Sequence, residues 1–124
     1  MTEENLKKLI DQLFSKGMSF SSYPYRIIWL VSEEVKNYPA QVLITVSSKA
    51  MKRAVDRNKV KRQIREIYRY QKLKLYDYLN GKKHHALIGI IYSGSELLSF
   101  EEAQEKIILL MSRLLKDIKK QLER

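Results

Sequence analysis

Between Arg53 and Leu79 the residues Val60, Ile64, Ile67, Tyr68, Gln71, Leu75 and Leu79 fall along one stripe at helical spacing, while the rest of that stretch is strongly basic. From Lys49 to Lys74 there are eleven Lys and Arg residues and only two acids, Asp56 and Glu66, so this window carries +9 of the formal +10 of the chain. A helix of that kind has to bury its apolar stripe on another layer and leave its cations in water. Arg53, Arg57, Lys61, Arg65 and Arg69 recur at intervals of four, which stacks them on one face. Like charges at that spacing cost about 0.2–0.5 kcal/mol per pair in an isolated helix. A row of phosphates relieves the repulsion, so the segment points to a polyanionic partner such as nucleic acid.

The other elements follow from periodicity. Leu6, Leu9, Ile10, Leu13 and Phe14 mark an amphipathic helix that Thr2 caps and Gly17 closes. Tyr25–Val31 is β-branched and aromatic and predicts a strand, with Gln41–Val46 as its hairpin partner across the polar turn 33–39. Ala86–Tyr92 is a continuous apolar run that suits a buried central strand. Asn80-Gly81 is expected to end the basic helix. Ser99 and Glu102 form an S-x-x-E capping box ahead of a last helix carrying Ala103, Ile107, Leu110, Met111, Leu114, Ile118 and Leu122. The order α-β-β-α-β-α predicts an α+β sandwich, a sheet covered by helices, as one domain spanning 1–124.

Several functions find no footing. The chain has no cysteine, hence no disulfide framework or thiolate metal site. Its longest apolar runs are far shorter than the ~20 residues that span a bilayer, and no secretory signal pattern opens it, so a cytoplasmic protein is expected. There is no H-E-x-x-H motif and no paired carboxylates spaced to hold two metals. His84 and His85 are adjacent, point to opposite faces of an extended segment, and are expected at the surface. Among the aromatics, Phe14, Phe20, Tyr23, Tyr25, Trp29, Tyr68 and Tyr70 could stack on unpaired bases, although most rings in so small a domain belong to the core. Asn58 could read a base edge or a 2′-hydroxyl, whereas the cations mostly contact phosphates.

The run Ala54-Val55-Asp56-Arg57-Asn58-Lys59-Val60-Lys61-Arg62-Gln63-Ile64-Arg65-Glu66 resembles the signature A-V-x-R-N-(R/K)-x-K-R-x-x-R-E of the ribonuclease P protein family. Thr45-Val46-Ser47-Ser48-Lys49 is similar to the family's strand-to-loop segment. Leu13-Phe14-Ser15-Lys16-Gly17, Ser19-Phe20 and Tyr23-Pro24-Tyr25-Arg26 are similar to its N-terminal pattern. The likeness runs from about Leu6 to Leu115.

The resemblance implies the accessory subunit of a ribonucleoprotein that removes the 5′ leader of precursor tRNA, with the catalytic site in the RNA and none in this chain. It implies a ribosomal protein S5 domain 2-like fold with a left-handed β-α-β crossover. Positions matching the family's RNA-subunit contacts are Ser48, Lys49, Lys52, Arg53, Arg57, Asn58, Lys59 and Arg62. Those matching its contacts to the leader are Phe14, Lys61 and Arg65, with Trp29 or Ile28 as the first-strand residue depending on alignment. The implied partners are the ribonuclease P RNA and precursor tRNA, with no membrane and no small-molecule substrate. Mg2+ is required by the RNA of the holoenzyme, and none is bound tightly by this chain. Two departures stand out: Ile10 replaces an aromatic, and Lys59 replaces a frequent Arg, losing its bidentate fork. The competing reading is a general structural RNA-binding protein of ribosome-associated type, without leader recognition.

Overall fold

A computed structural model of the chain describes residues 3–34 and 36–123. It contains α1 (Glu3–Lys16), β1 (Met18–Ser22), β2 (Tyr25–Ser32), β3 (Ala40–Val46), α2 (Ala54–Gln71), α3 (Leu73–Lys82), β4 (His85–Tyr92) and α4 (Phe100–Leu122). The strands form one sheet in the order β1-β2-β4-β3. This is the expected α+β sandwich of sheet and helices, with one more strand and one more helix than the periodicity suggested.

The expected hairpin between the two strands before the basic helix does not form. β4 lies between them, antiparallel to β2 and parallel to β3, with Ile88 opposite both Trp29 and Val42. The reason lies in its side chains. All of β4 but Ile91 is buried, so it needs neighbours on both edges and cover on both faces. β3 is partly exposed along most of its length and takes the edge instead. β1 carries little strand signal because its sequence is Met-Ser-Phe-Ser-Ser, in which Phe20 alone turns inward; it pairs antiparallel with β2.

The two faces of the sheet are covered unequally. α2, α3 and α4 pack on one face, where Ile27, Trp29, Ile88 and Ile90 meet Val60, Ile64, Ile67, Leu75, Leu79, Ile107, Leu114 and Ile118. On the other face α1 sets Leu13 against Ile28 and Leu87, with Leu9, Leu30, Leu43 and Ile91 around them. This approach is close enough to require a glycine in β4. A Cβ on Gly89 would come within 2.8 Å of Ile28 Cγ2 and 2.9 Å of Leu13 Cδ2. α1 ends at Gly17, whose N–H donates to the Leu13 carbonyl at 2.8 Å. The proposed Thr2 cap lies outside the described residues, as does the side chain of Leu6.

The basic helix is interrupted at Lys72, which keeps right-handed dihedrals of −76° and −18°. Tyr68 and Tyr76 bridge the break, their hydroxyls 2.9 Å apart, and the apolar stripe continues through Leu75 and Leu79. The second half runs past Asn80-Gly81 and ends at Lys83, whose φ of 57° supplies the left-handed turn expected of the glycine. At the start of α4, Ser99 Oγ accepts from the Glu102 N–H at 3.2 Å, the cap that the S-x-x-E pattern predicts.

One histidine departs from expectation. His84 is half-exposed, but His85 begins β4 with 4% of its surface exposed, its ring edge-on to Tyr38 and its Nε2 buried with no hydrogen-bond partner among the described residues. Burial, with a further push from Lys36, lowers its pKa, against an opposing pull from Glu34. An unfolded chain therefore takes up this proton more readily than the folded one. The contribution is complete above the ordinary value of 6.5 and is lost as pH falls from there through the folded pKa. Thermal melting between about pH 8 and pH 5 should show stability falling on acidification, and His85→Gln should flatten that slope near neutrality.

Candidate RNA interface

Two surfaces meet the requirements set by the sequence, and they are built differently. The first is a shallow apolar groove on the α1 face of the sheet, lined by Ile10, Leu13, Phe14, Ile28, Leu43, Thr45, Gly89 and Ile91. It exists because α1 packs over β2 and β4 and leaves the β3 side of that face open. Phe14 sits at its border with half its surface exposed. Strand alternation places Arg26 and Thr45 on the same face as Ile28 and Leu43, and both are exposed. The floor is thus apolar, with an exposed ring, a hydroxyl and a cation nearby.

The second surface is α2 with the loop before it. Ser47 Oγ accepts from the Ala50 N–H at 3.3 Å, and the Ser47 carbonyl accepts from the Met51 N–H at 3.0 Å, which folds the loop back on itself. Arg57 then reaches out of the first turn and donates to the carbonyls of Met51 and Lys52 at 3.0 and 2.8 Å. Arg53 occupies the N-cap position without a capping side chain, so the first N–H groups of α2 keep their partial positive charge beside exposed Lys49 and Lys52.

The expected row of five equivalent cations is not realised as such. A step of four overshoots the helical repeat of 3.6, so the row slants across the surface. Arg53 precedes the helix and lies 3.9 Å from Asp56, Arg57 is spent on the loop, and Arg69 pairs with Glu66 at 2.9 Å. Lys61 is half-buried and Arg65 exposed. Gln63 donates to the Leu98 carbonyl at 2.8 Å and so marks the flank facing α4. Lys61 and Arg65 lie on the opposite flank, toward the β3 edge. Asn58 and Arg62, four apart, share the outward face, and Lys59 borders Ser95, Glu96 and Leu97. Ser48 is exposed in the loop. Among the described residues Lys49, Lys52, Lys59, Lys61, Arg62 and Arg65 have no ion-pair partner.

Trp29 has to be removed from the groove. It points to the opposite face of the sheet with 2% of its surface exposed, packed 5.7 Å from the Phe20 ring and donating to Gln121 Oε1 at 3.4 Å. Ile28 is the β2 residue that lines the groove, so strand alternation resolves the two alignments in its favour. Phe20, Tyr25 and Tyr68 are likewise core, whereas Phe14, Tyr23 and Tyr70 keep exposed rings. Arg26 and Thr45 were not among the expected site residues. Alternation with Ile28 and Leu43 was the signal that marks them. Among the described residues no group of three or more His, Asp or Glu side chains is placed to hold a metal ion, and no helix is long and apolar enough to cross a membrane.

The double contact of Arg57 yields a prediction about the loop. One guanidinium nitrogen makes both bonds, so Arg57→Ala removes them together and should cost about 1–2 kcal/mol in denaturant unfolding. Hydrogen exchange should quicken at Ala50 and Met51, with α4 unaffected.

Comparison with known proteins agrees with this architecture. The ribonuclease P family profile matches residues 4–115. The ribonuclease P protein component of Porphyromonas gingivalis is 34% identical over 107 residues, covering 84% of this chain and 78% of that one. That of Chlorobium phaeobacteroides is 33% identical over 118 residues, covering 87% and 81%. In fold, the chain is similar to the ribonuclease P protein of Thermotoga maritima, with a TM-score of 0.67, 24% identity and 87% and 93% of the two chains covered. The Staphylococcus aureus protein gives a TM-score of 0.63 at 19% identity, covering 93% and 94%. With a family match over nearly its whole length and relatives a third identical, the chain belongs to the ribonuclease P family as its protein component.

Proposed function

We propose that this protein docks on the ribonuclease P RNA through the outward face of α2 and its preceding loop, and holds the single-stranded 5′ leader of precursor tRNA in the groove beneath α1. The observation that carries the reading is the pairing of unlike surfaces: an apolar groove with an exposed Phe14, bordered across β3 by the Lys61 and Arg65 flank. A folded duplex needs phosphate contacts alone, while a single strand also presents unpaired bases that stack on a ring. Ser48, Lys49, Lys52, Arg53, Asn58, Lys59 and Arg62 are assigned to the RNA subunit, and Phe14, Ile28, Lys61 and Arg65 to the leader, joined by Arg26 and Thr45. Arg57 acts by holding the loop in place.

The protein's share of the chemistry is binding and charge. The RNA carries the bond cleavage and its Mg2+. The basic face offsets repulsion between two RNAs and so lowers the divalent ion needed. Mature tRNA has no leader, so contacts in the groove favour precursor over product without holding the product back. The setting is the cytoplasm.

Reconstitution tests the reading. A 5′-labelled precursor tRNA at low Mg2+ should be cut at the mature 5′ end only when the protein and a bacterial ribonuclease P RNA are both present. Tight RNA binding with no gain in cleavage would favour a general structural RNA-binding role. Within the active complex, Phe14→Ala or Arg65→Ala should weaken binding of leader-bearing precursor about tenfold while leaving leaderless tRNA unchanged. Arg62→Ala should instead weaken assembly with the RNA subunit, lowering the salt slope by about one whatever the substrate.

A further inference from the structure

The outer face of α4 is not used by either surface described above. It lies on the sheet face opposite the groove and carries Glu101, Glu102 and Glu105 in its first half and Lys116, Lys119 and Lys120 in its second, all exposed. Between them sit Ile108 and Leu109, 40% and 71% exposed, and across the adjoining cleft lie Tyr70 and Leu73, 65% and 68% exposed. Among the described residues none of the six charged groups has an ion-pair partner within the chain. Lys119 rests over the Tyr78 ring at 5.3 Å. The helix dipole accounts for acids in the first turn and bases in the last. It does not account for Glu105 and Lys116, which lie well inside the helix, or for an apolar centre left in water.

We propose that this face is a self-association surface on which α4 of a second copy of the chain lies antiparallel. A two-fold axis passing between Leu110 and Met111 sets Glu105 opposite Lys116, Glu101 opposite Lys120 and Glu102 opposite Lys119, each pair occurring twice, and brings the two Leu109 side chains toward the centre. An isologous contact needs a self-complementary patch, and a helix acidic at one end and basic at the other is one. Three acids and three bases leave these paired positions neutral. The +9 window lies on neighbouring elements, where salt screens repulsion over about 8 Å. A contact built on one helix pair is small, so the association is weak. It leaves the α1 groove and the Lys61–Arg65 flank free.

Sedimentation velocity of the full-length chain over a wide concentration range, at physiological salt, is the test. The wild type should pass from monomer to dimer. Glu105→Lys or Lys116→Glu alone should each raise the dissociation constant about tenfold, since two attractive pairs become repulsive. Both changes in one chain restore opposite charges across the axis and should bring the dimer back. Within the helix each reversal places opposite charges three and four residues apart, so melting temperatures should stay close to wild type. A wild type that is monomeric throughout, single reversals without effect, or a double reversal that fails to rescue would each overturn the proposal.

Discussion

The position of β4 governs the molecule. A strand buried on both faces and paired on both edges separates β2 from β3 and requires cover above and below. Its parallel pairing with β3 requires a crossover connection, because parallel neighbours cannot be joined by a tight turn. That crossover is the basic segment, α2 and α3. The cations are therefore placed beside β3 by the same topology that fills the core. α1, packed through Leu13 on Gly89 and Ile28, covers β2 and β4 and leaves the groove open next to β3. Groove and basic helix are both consequences of where β4 lies.

The basic segment divides its charges between architecture and partner. Arg57, Arg53 and Arg69 are engaged with carbonyls or acids of the chain, while Lys59, Lys61, Arg62 and Arg65 have no ion-pair partner among the described residues. Exposed pairs such as Arg69–Glu66 contribute little to stability, about 0–1 kcal/mol. The like charges that remain bring a cost in the free protein that phosphates remove. This is a helix whose surface is adapted to a polyanion more than to isolated stability, and its hold on the fold comes from Val60, Ile64, Ile67 and Tyr68.

Much of this was legible in the residues, and the failures have physical causes. Helical stripes named α1, α2 and α4 correctly because a 3.6-residue period survives any tertiary context. Ala86–Tyr92 read as central because a run without polar relief has nowhere else to go. Strand pairing was not legible: β2 and β3 are neighbours in sequence, yet the more apolar β4 takes the place between them. β1 was lost to its serines, and the αL position fell on Lys83 because local geometry, not residue preference, set where the helix stops. At the site, the motif located α2, but spacing by four could not reveal that Arg57 turns into the loop. The ambiguity between Ile28 and Trp29 was a question of face. It needed the register of β2 on β4 and the helix covering each side.

The central claim is that the groove beside α1 holds the leader. Because the chain has no cysteine, Thr45→Cys creates a single thiol on the groove floor that can carry a short photo-crosslinker. In the assembled complex with precursor tRNA, irradiation should join the protein to leader nucleotides near the cleavage site, and the product should vanish with leaderless tRNA. Crosslinks to the RNA subunit or the tRNA body alone, unchanged when the leader is removed, would contradict the account.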